Sequence, residues 1–470
     1  MAPDAAPRRS KSERGYLTLT ALSLTTVIGI SLASYISLCY QSYLLSFRLF
    51  QVAQCRQLAE TGLEEALWAL NNNNWTSAGP AGAPVTWTFS GSTATCTVTG
   101  YQLGEGVTGQ VLVTVANYNC PFNPPPAPAP SPTPVIAAIA TVRLPTGTQL
   151  TKTLRAPFQP APLFANAVGV TNVSGGYVLF TSGGSVDSWD SNLSGFPYSP
   201  GSTPSNYAAT LAAPGTSNGI ILNSAAVHGY AATFGAGISH GGSTLQGPTS
   251  GSTFDSSRVS TSAFVPSFPV AAPSGAYDST TLVSPLTSGT ITLGVVGATV
   301  PTQYYIGSTL QIQNAGTELV VQGPVVIWVA GNLLLWYAAK IHVLDTGRLE
   351  MVVAGNDIQI GGAAGSIAQF QNDTNDPKNL ALYSTHPGPR TFVYNSTQDF
   401  CGVMYSAAQR YEVRFQTSPN IYGAILANFN VIFDSGTTPQ VHYDLALRKL
   451  PKNWFKAVTT PYMLLQITET

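Results

Sequence analysis

Few residues of this 470-residue chain have a type and spacing suited to chemistry. The five histidines, His228, His240, His342, His386 and His442, are dispersed, and none stands at zinc-ligand spacing from another His or Cys. Asp373 and Asp376, in the run Asn-Asp-Thr-Asn-Asp-Pro at 372–377, could hold calcium through oxygen ligands, but an Asn/Asp turn entering a proline uses the same residues. Asp187 and Asp190, in Val-Asp-Ser-Trp-Asp-Ser at 186–191, form either a carboxylate pair or a set of caps and turns. His442 and Asp444 are two apart and share a face if their segment is a strand. A conformational lock suits them better than catalysis. Trp189, Tyr198, Tyr304 and Tyr305 could stack on sugars or fill a core. There is no P-loop and no H-E-x-x-H. The residues therefore lead to expectations of no catalytic group, no cofactor and no metal.

The five cysteines are an odd, sparse set rather than a disulfide framework. Cys96 and Cys120 are the one plausible bridge, if their segment reaches an oxidising space; two buried thiols are the alternative.

The elements that must position these residues follow from composition. Only 9% of residues are charged and the net charge is −1, which excludes a general attraction to nucleic acid. Glycine and proline are abundant and Ser and Thr crowd the middle, a text of short strands and tight turns. The N-terminus differs. No charge occurs between Arg14 and Arg48, and Tyr16 to about Tyr40 is long enough to span a bilayer as helix. Arg8, Arg9, Lys11 and Arg14 precede it, so the bulk of the chain is expected on the non-cytoplasmic side. The run continues without a break into Leu58, Leu63, Ala66, Leu67 and Leu70 at helical spacing, with Glu60, Glu64 and Glu65 on the polar side. One helix over 16–71 would be roughly 80 Å long.

This segment resembles the class III signal of type IV prepilins and pseudopilins: a short basic leader, Arg14-Gly15, then Tyr16 opening a long apolar helix. The resemblance covers about residues 10–71. It implies cleavage by a prepilin peptidase after Gly15, with Tyr16 as the mature N-terminus, often methylated in that family. The stretch Gln57–Asn71 is similar to the end of the N-terminal region of PilX-like minor pilins. Major pilins carry Glu at the fifth mature position to pair with a neighbour's terminal amine; here that position is Thr20. The same departure occurs in PilX-like and K-type pseudopilins, which implies a minor, tip or priming subunit.

After Trp75, alternating segments at 85–91, 93–100, 109–119, 135–144 and from Gln149 read as antiparallel strands, interrupted by a proline-rich polyproline spacer at 120–134. Further on, Val-Ala-Gly-Asn occurs at 329–332 and again 24 residues later at 353–356, between short apolar strands. A period near 24 with three short strands per unit is what a β-solenoid coil requires; a jelly roll or sandwich is the other reading. The C-terminal text resembles a domain of PilX-type bacterial envelope proteins, through residues 186–191, the two Val-Ala-Gly-Asn rungs, Tyr-Gly-Ala-Ile-Leu-Ala at 422–427 and His442-Tyr443-Asp444 with Ala446-Leu447.

The expected fold is mainly β: a long N-terminal transmembrane helix, a small antiparallel β head, then a parallel β-helix. The expected division is leader 1–15, helix 16–71, β head 72–160, solenoid 161–450 and tail 451–470. The expected role is a non-enzymatic pilin-like subunit of a type IV pilus or type II secretion-like assembly, single-pass in the inner membrane. Its expected partners are that membrane, other pilin or pseudopilin subunits and a prepilin peptidase. The alternatives are a membrane-anchored surface adhesin and a β-helix carbohydrate-active enzyme.

Overall fold

The computed structural model describes residues 11–72, 75–78, 84–104, 106–118, 134–160, 162–192, 204–215, 219–235, 237–250, 253–270, 276–278, 282, 284–362, 366–386, 388, 390–406, 411–450, 454–458, 462–464 and 467–469. The chain is mainly β, with one long N-terminal helix, an antiparallel sheet and then sheets of parallel strands. It divides into two compact units. One is Met1–Tyr118 with Val135–Pro157 and Gln466–Thr470; the other is Asn119–Pro134 with Phe158–Leu465. The proline-rich spacer expected at 120–134 lies outside the described residues, apart from Pro134.

The first unit is built on the helix Lys11–Asn72, 62 residues and therefore about 90 Å long. Its surroundings change once along its length. Every residue from 16 to 50 is exposed, leucines, isoleucines and tyrosines included. From Gln51 onward one face is buried: Cys55, Leu58, Ala59, Leu63, Ala66, Ala69 and Leu70. This is the only helix, among the described residues, long and apolar enough to cross a membrane. Four of the hydroxyls that dilute the apolar run, all in its first third, are turned back onto the helix. Thr20 Oγ1 donates to the carbonyls of Tyr16 (2.9 Å) and Leu17 (3.0 Å), Ser23 to Leu19 (2.8 Å), Thr26 to Leu22 (2.7 Å), and Thr25 to Ala21. A hydroxyl bonded one turn back presents mainly carbon outward, as a helix in lipid requires.

The buried stripe packs on an antiparallel sheet ordered Thr88–Ser90, Thr93–Gly104, Val107–Ala116, Val135–Arg143, Gln149–Pro160. Alternation decides which face meets the helix: Val111, Val113 and Val115, then Ile136, Ala138, Ala140 and Val142, are fully buried. The closest approach is at Gly62, where a Cβ would stand 2.7 Å from Val111 Cγ2 and 3.1 Å from Ala138 Cβ. The chain's last strand, Thr468–Glu469, pairs with Arg155 and Leu154 of this sheet. Glu469 bonds Lys152 at 2.8 Å and lies 3.8 Å from Arg56 of the helix.

The second unit is a parallel β-helix. One face stacks, in order, Thr302–Ile306, Pro324–Val329, Arg348–Val353, Leu380–Ser384, Phe400–Ser406, Asn420–Ala427, Gln440–Asp444, Ser185–Trp189 and Ala226–Thr233. A second face runs from Leu310–Ile312 through Asn430–Phe433 to Tyr177–Phe180, Ile220–Leu222 and Ile238–Ser239. A third, Thr290–Leu293, Glu318–Val321, Lys340–Val343 and Gln369–Asn372, closes the early coils into three-sided turns. The repeated Val-Ala-Gly-Asn has a steric origin. Val329 pairs with Val353, and Gly355 donates to the Gly331 carbonyl at 3.0 Å, so the two glycines stack at one corner. A Cβ on Gly355 would overlap the Gly331 backbone.

The stack is not in sequence order. The chain enters in the middle, coils to one end by about residue 260, crosses to the opposite end, and coils back to where it began. The crossing segment is pinned along the way. The Phe264 carbonyl accepts from Asn166, Phe268 bonds the Tyr405 hydroxyl through both its N–H and its carbonyl, Asp278 bridges Tyr304 and Leu286 bridges Ile312. The closing rung is composite: Gln440–Asp444 pairs with residues 420–422 and Val168–Val170 with residues 425–427 of the same strand. An interior ladder runs unbroken through this junction. Tyr394, Phe415, Phe433 and Phe180 occupy successive rungs, with ring centroids 5.7, 5.0 and 4.3 Å apart.

Gly62→Val forces a branched side chain into the helix–sheet contact. It is expected to cost the first unit about 2 kcal/mol through overpacking, read as a lowered first unfolding step in calorimetry of the full chain.

Candidate functional site

The two motifs flagged at 186–191 and 441–450 meet at the composite rung, and each polar side chain of the terminal motif reaches the chain's first coil. His442 Nδ1 lies 2.7 Å from Asp187 Oδ1, both side chains nearly buried, and the two residues are cross-strand partners. Tyr443 donates its hydroxyl to the Phe164 carbonyl at 2.6 Å. Asp444 accepts from Ser191 N (3.0 Å) and Oγ (2.7 Å), and caps the short 3-10 helix Leu445–Lys449 through Ala446 N. Arg448, buried, donates to the carbonyls of Ala165 and Ala208, and its guanidinium lies 5.0 Å from the Tyr443 ring centre. Lys449 pairs with Asp190 at 2.9 Å. Burial pushes the Tyr443 hydroxyl up to about 12, with Arg448 opposing it. Burial also raises Asp444, against its hydrogen bonds from Ser191 and Ala446. Asp187 and Asp190 thus face different partners rather than each other. Every group is committed to joining the two runs of coils, which is the chemistry of a lock.

The Asn372–Pro377 run divides likewise. Asp376 caps the 3-10 helix Pro377–Asn379 through Lys378 N (3.2 Å) and pairs with Lys378 Nζ at 2.5 Å, as the turn reading requires. Asp373 instead joins a bridge across three coils: His342 Nδ1 lies 2.7 Å from Glu318 Oε1, and His342 Nε2 2.5 Å from Asp373 Oδ2. Burial works against the Asp373 charge, but hydrogen bonds from Gln371 and His342 outweigh it and hold its carboxyl below the usual range. No group of three or more His, Cys, Asp or Glu among the described residues has the geometry to hold a metal ion.

Asp373 also borders an open groove of about 380 Å³ on the flank of the β-helix, together with Gln369, Gln371, Gln398, Asp399 and Tyr422. None of these except Asp373 stood out in the sequence, because amides on successive rungs carry no motif. Of the aromatic residues considered as sugar platforms, Trp189 and Tyr304 are buried, Tyr305 is 37% exposed, and Tyr198 lies outside the described residues.

Two bare motif matches acquire no chemistry from their context. Gly104–Gly109 reads G-x-G-x-x-G but sits at the junction of two antiparallel strands, not at a strand-to-helix turn. Gly237–Gly241 reads G-x-S-x-G on the short strand Ile238–Ser239 with no helix after it. The same pattern at 215–219 has residues 216–218 outside the described set. Cys96 is buried on its strand; Cys120, its expected partner, lies outside the described residues. Gly15 and Tyr16, the expected processing pair, lie in the first turns of the long helix.

Residues 274–450 match the model of a domain of unknown function, DUF7305, which coincides with the coils that run back to the composite rung. No curated protein matches the chain. Among solved structures, a competence-associated pilin, ComZ from Thermus thermophilus, aligns over 89% of this chain and 97% of its own, at 11% identity and a TM-score of 0.32.

Two outcomes follow for the lock and the bridge. Asp187→Ala is expected to destabilise the second unit by about 2–3 kcal/mol, because it strands a buried partner; Lys449→Ala removes the half-exposed end of its pair, leaves the buried Asp190 carboxylate with its hydrogen bond from Asn192 N, and is expected to cost about 1–2 kcal/mol. Scanning calorimetry of the two variants checks the contrast. A carboxyl lowered on folding stabilises above its unfolded pKa and loses that contribution as pH falls through its folded value. Asp373→Asn is therefore expected to flatten the acid-side fall of the melting temperature below about pH 4, measured as a melting-temperature series against pH.

Proposed function

We propose that this chain is a non-enzymatic, pilin-like structural subunit of the bacterial envelope, made as a precursor and cut between Gly15 and Tyr16. The observation that carries the reading is the single change of environment along one helix: exposed from 16 to 50, sheet-bound from Gln51 to Leu70. A helix that only anchored would have no reason to continue as a packed spine. One that only filled a core would not expose so many large apolar side chains. The basic residues before the run favour a cytoplasmic N-terminus and both units on the other side of the inner membrane.

Thr20 supports a minor, tip or priming position. Its hydroxyl is spent on the helix's own carbonyls, so it offers a neighbouring subunit no charge to pair with. The assembly would be a type IV pilus or a type II secretion-like filament, with other pilins or pseudopilins as lateral partners through the exposed half of the helix. Nucleic acid is not among the partners proposed.

Co-expression with a prepilin peptidase tests the reading through intact mass and N-terminal sequencing. The expected product lacks residues 1–15 and begins at Tyr16, and Gly15→Val abolishes the cut. An uncut chain in the presence of active peptidase, or a cut elsewhere, contradicts it.

A further inference from the structure

The flank of the β-helix carries a built recess that the lock does not use. It is the groove of about 380 Å³ between the third face and the rungs that follow, large enough for one or two sugar rings. Its lining is mostly polar, with Phe370, Cys401 and Tyr422 supplying the apolar part, and is set by the coil geometry. Gln369 and Gln371 project from the outer face of Gln369–Asn372, where alternation turns Phe370 inward. Gln398 and Asp399 come from the turn before Phe400–Ser406, and Tyr422 from the next rung.

The side chains are held rather than loose. Gln371 donates to Asp373 Oδ1 at 2.8 Å and accepts from Gln369 Nε2 at 3.2 Å and from Lys340 Nζ at 3.4 Å. Asp373 is fixed from behind by His342, which Glu318 fixes in turn. Asp399 accepts from Asn420 N (2.9 Å) and Nδ2 (3.2 Å). Tyr422 is stacked at 5.0 Å on His442, so the groove wall leans on the lock. The Gln398 side chain makes no hydrogen bond to the described residues.

We infer that this groove binds a neutral glycan. Five amides, those of Gln369, Gln371, Asn372, Asn375 and Gln398, and two carboxylates present donors and acceptors side by side, which suits hydroxyl groups, since each hydroxyl both donates and accepts. No lysine or arginine lines the recess among the described residues, and two carboxylates do, so anionic polymers are disfavoured. Little apolar surface is offered, which disfavours a peptide anchored by hydrophobic side chains. Adjacent rungs are about 4.8 Å apart, close to the length of one sugar residue, so groups from successive rungs can reach one ring and the next. The inference is independent of leader cleavage: the groove belongs to the second unit whether or not residues 1–15 are removed.

The test is isothermal titration of the full chain in phospholipid nanodiscs, which avoids sugar-headed detergents. The probes are maltohexaose, cellohexaose and chitohexaose, with heparin hexasaccharide and calcium chloride as the other arms. The expected result is saturable binding of at least one neutral hexasaccharide, weakened about tenfold by Gln398→Ala and by Asp399→Asn. Gln398 has no role in the fold's hydrogen bonding through its side chain, so its variant reports the groove without unfolding it. Absence of heat with all three neutral probes overturns the inference. So does binding confined to heparin or calcium, or neutral binding that both variants leave unchanged.

Discussion

The structure depends on one helix that changes its surroundings without a break, exposed from 16 to 50 and sheet-bound from Gln51, the first part apolar enough to cross a membrane. Lipid demands that every backbone group and hydroxyl be satisfied within the helix; a protein sheet demands a narrow stripe of small and apolar residues. The run from Tyr16 suits the first demand, with Thr20, Ser23, Thr25 and Thr26 bonded to carbonyls one turn back. From Gln51 it meets the second with alanines and Gly62, which let the helix lie close on Val111 and Ala138. The return of the chain's end supports that contact: Thr468–Glu469 joins the sheet edge, and Glu469 reaches Lys152 and Arg56.

The β-helix solves a different problem. Each coil offers its neighbours an unpaired strand edge, and an open end invites association. Here the chain enters and leaves in the middle of the stack, so its first and last coils pair with each other and the two ends of the stack are formed by coils from within the unit. Aromatic rings carry the apolar interior across that junction, and the buried polar groups of the His442–Lys449 motif tie it together by hydrogen bonds and ion pairs. The chain also enters and leaves this unit on neighbouring antiparallel strands, with Tyr462 opposite Pro160 and Leu464 opposite Phe158.

Much of this was legible in the residues. The uncharged run gave the helix, and period-two alternation gave the antiparallel strands. Two Val-Ala-Gly-Asn copies gave the coil, because a glycine must recur wherever backbones stack at a corner. The permuted order was not legible. Periodicity reports neighbours at a fixed spacing, whereas Val186 and Val441 are adjacent only after the fold closes. Coil length also drifts: Val325 lies against Leu349, Leu349 against Leu380 and Ile421 against Val441, spacings of 24, 31 and 20 residues. Asp187 and His442 were each visible as residues of interest, but only the composite rung makes them partners. Asp373 was legible as an oxygen ligand or turn former. Its bond to His342 depends on rung alignment, as does the groove.

Hydrogen–deuterium exchange of the full chain in nanodiscs tests the central claim most directly. The account predicts continuous amide protection from about residue 16 to 71 in lipid, slowest between about 20 and 40 where water is excluded, with Gly62→Val lowering protection only from about residue 51 onward. A fast-exchanging gap between about residues 41 and 50, or residues 16–40 exchanging as fast as an unstructured segment in lipid, would contradict a single rod shared between membrane and sheet.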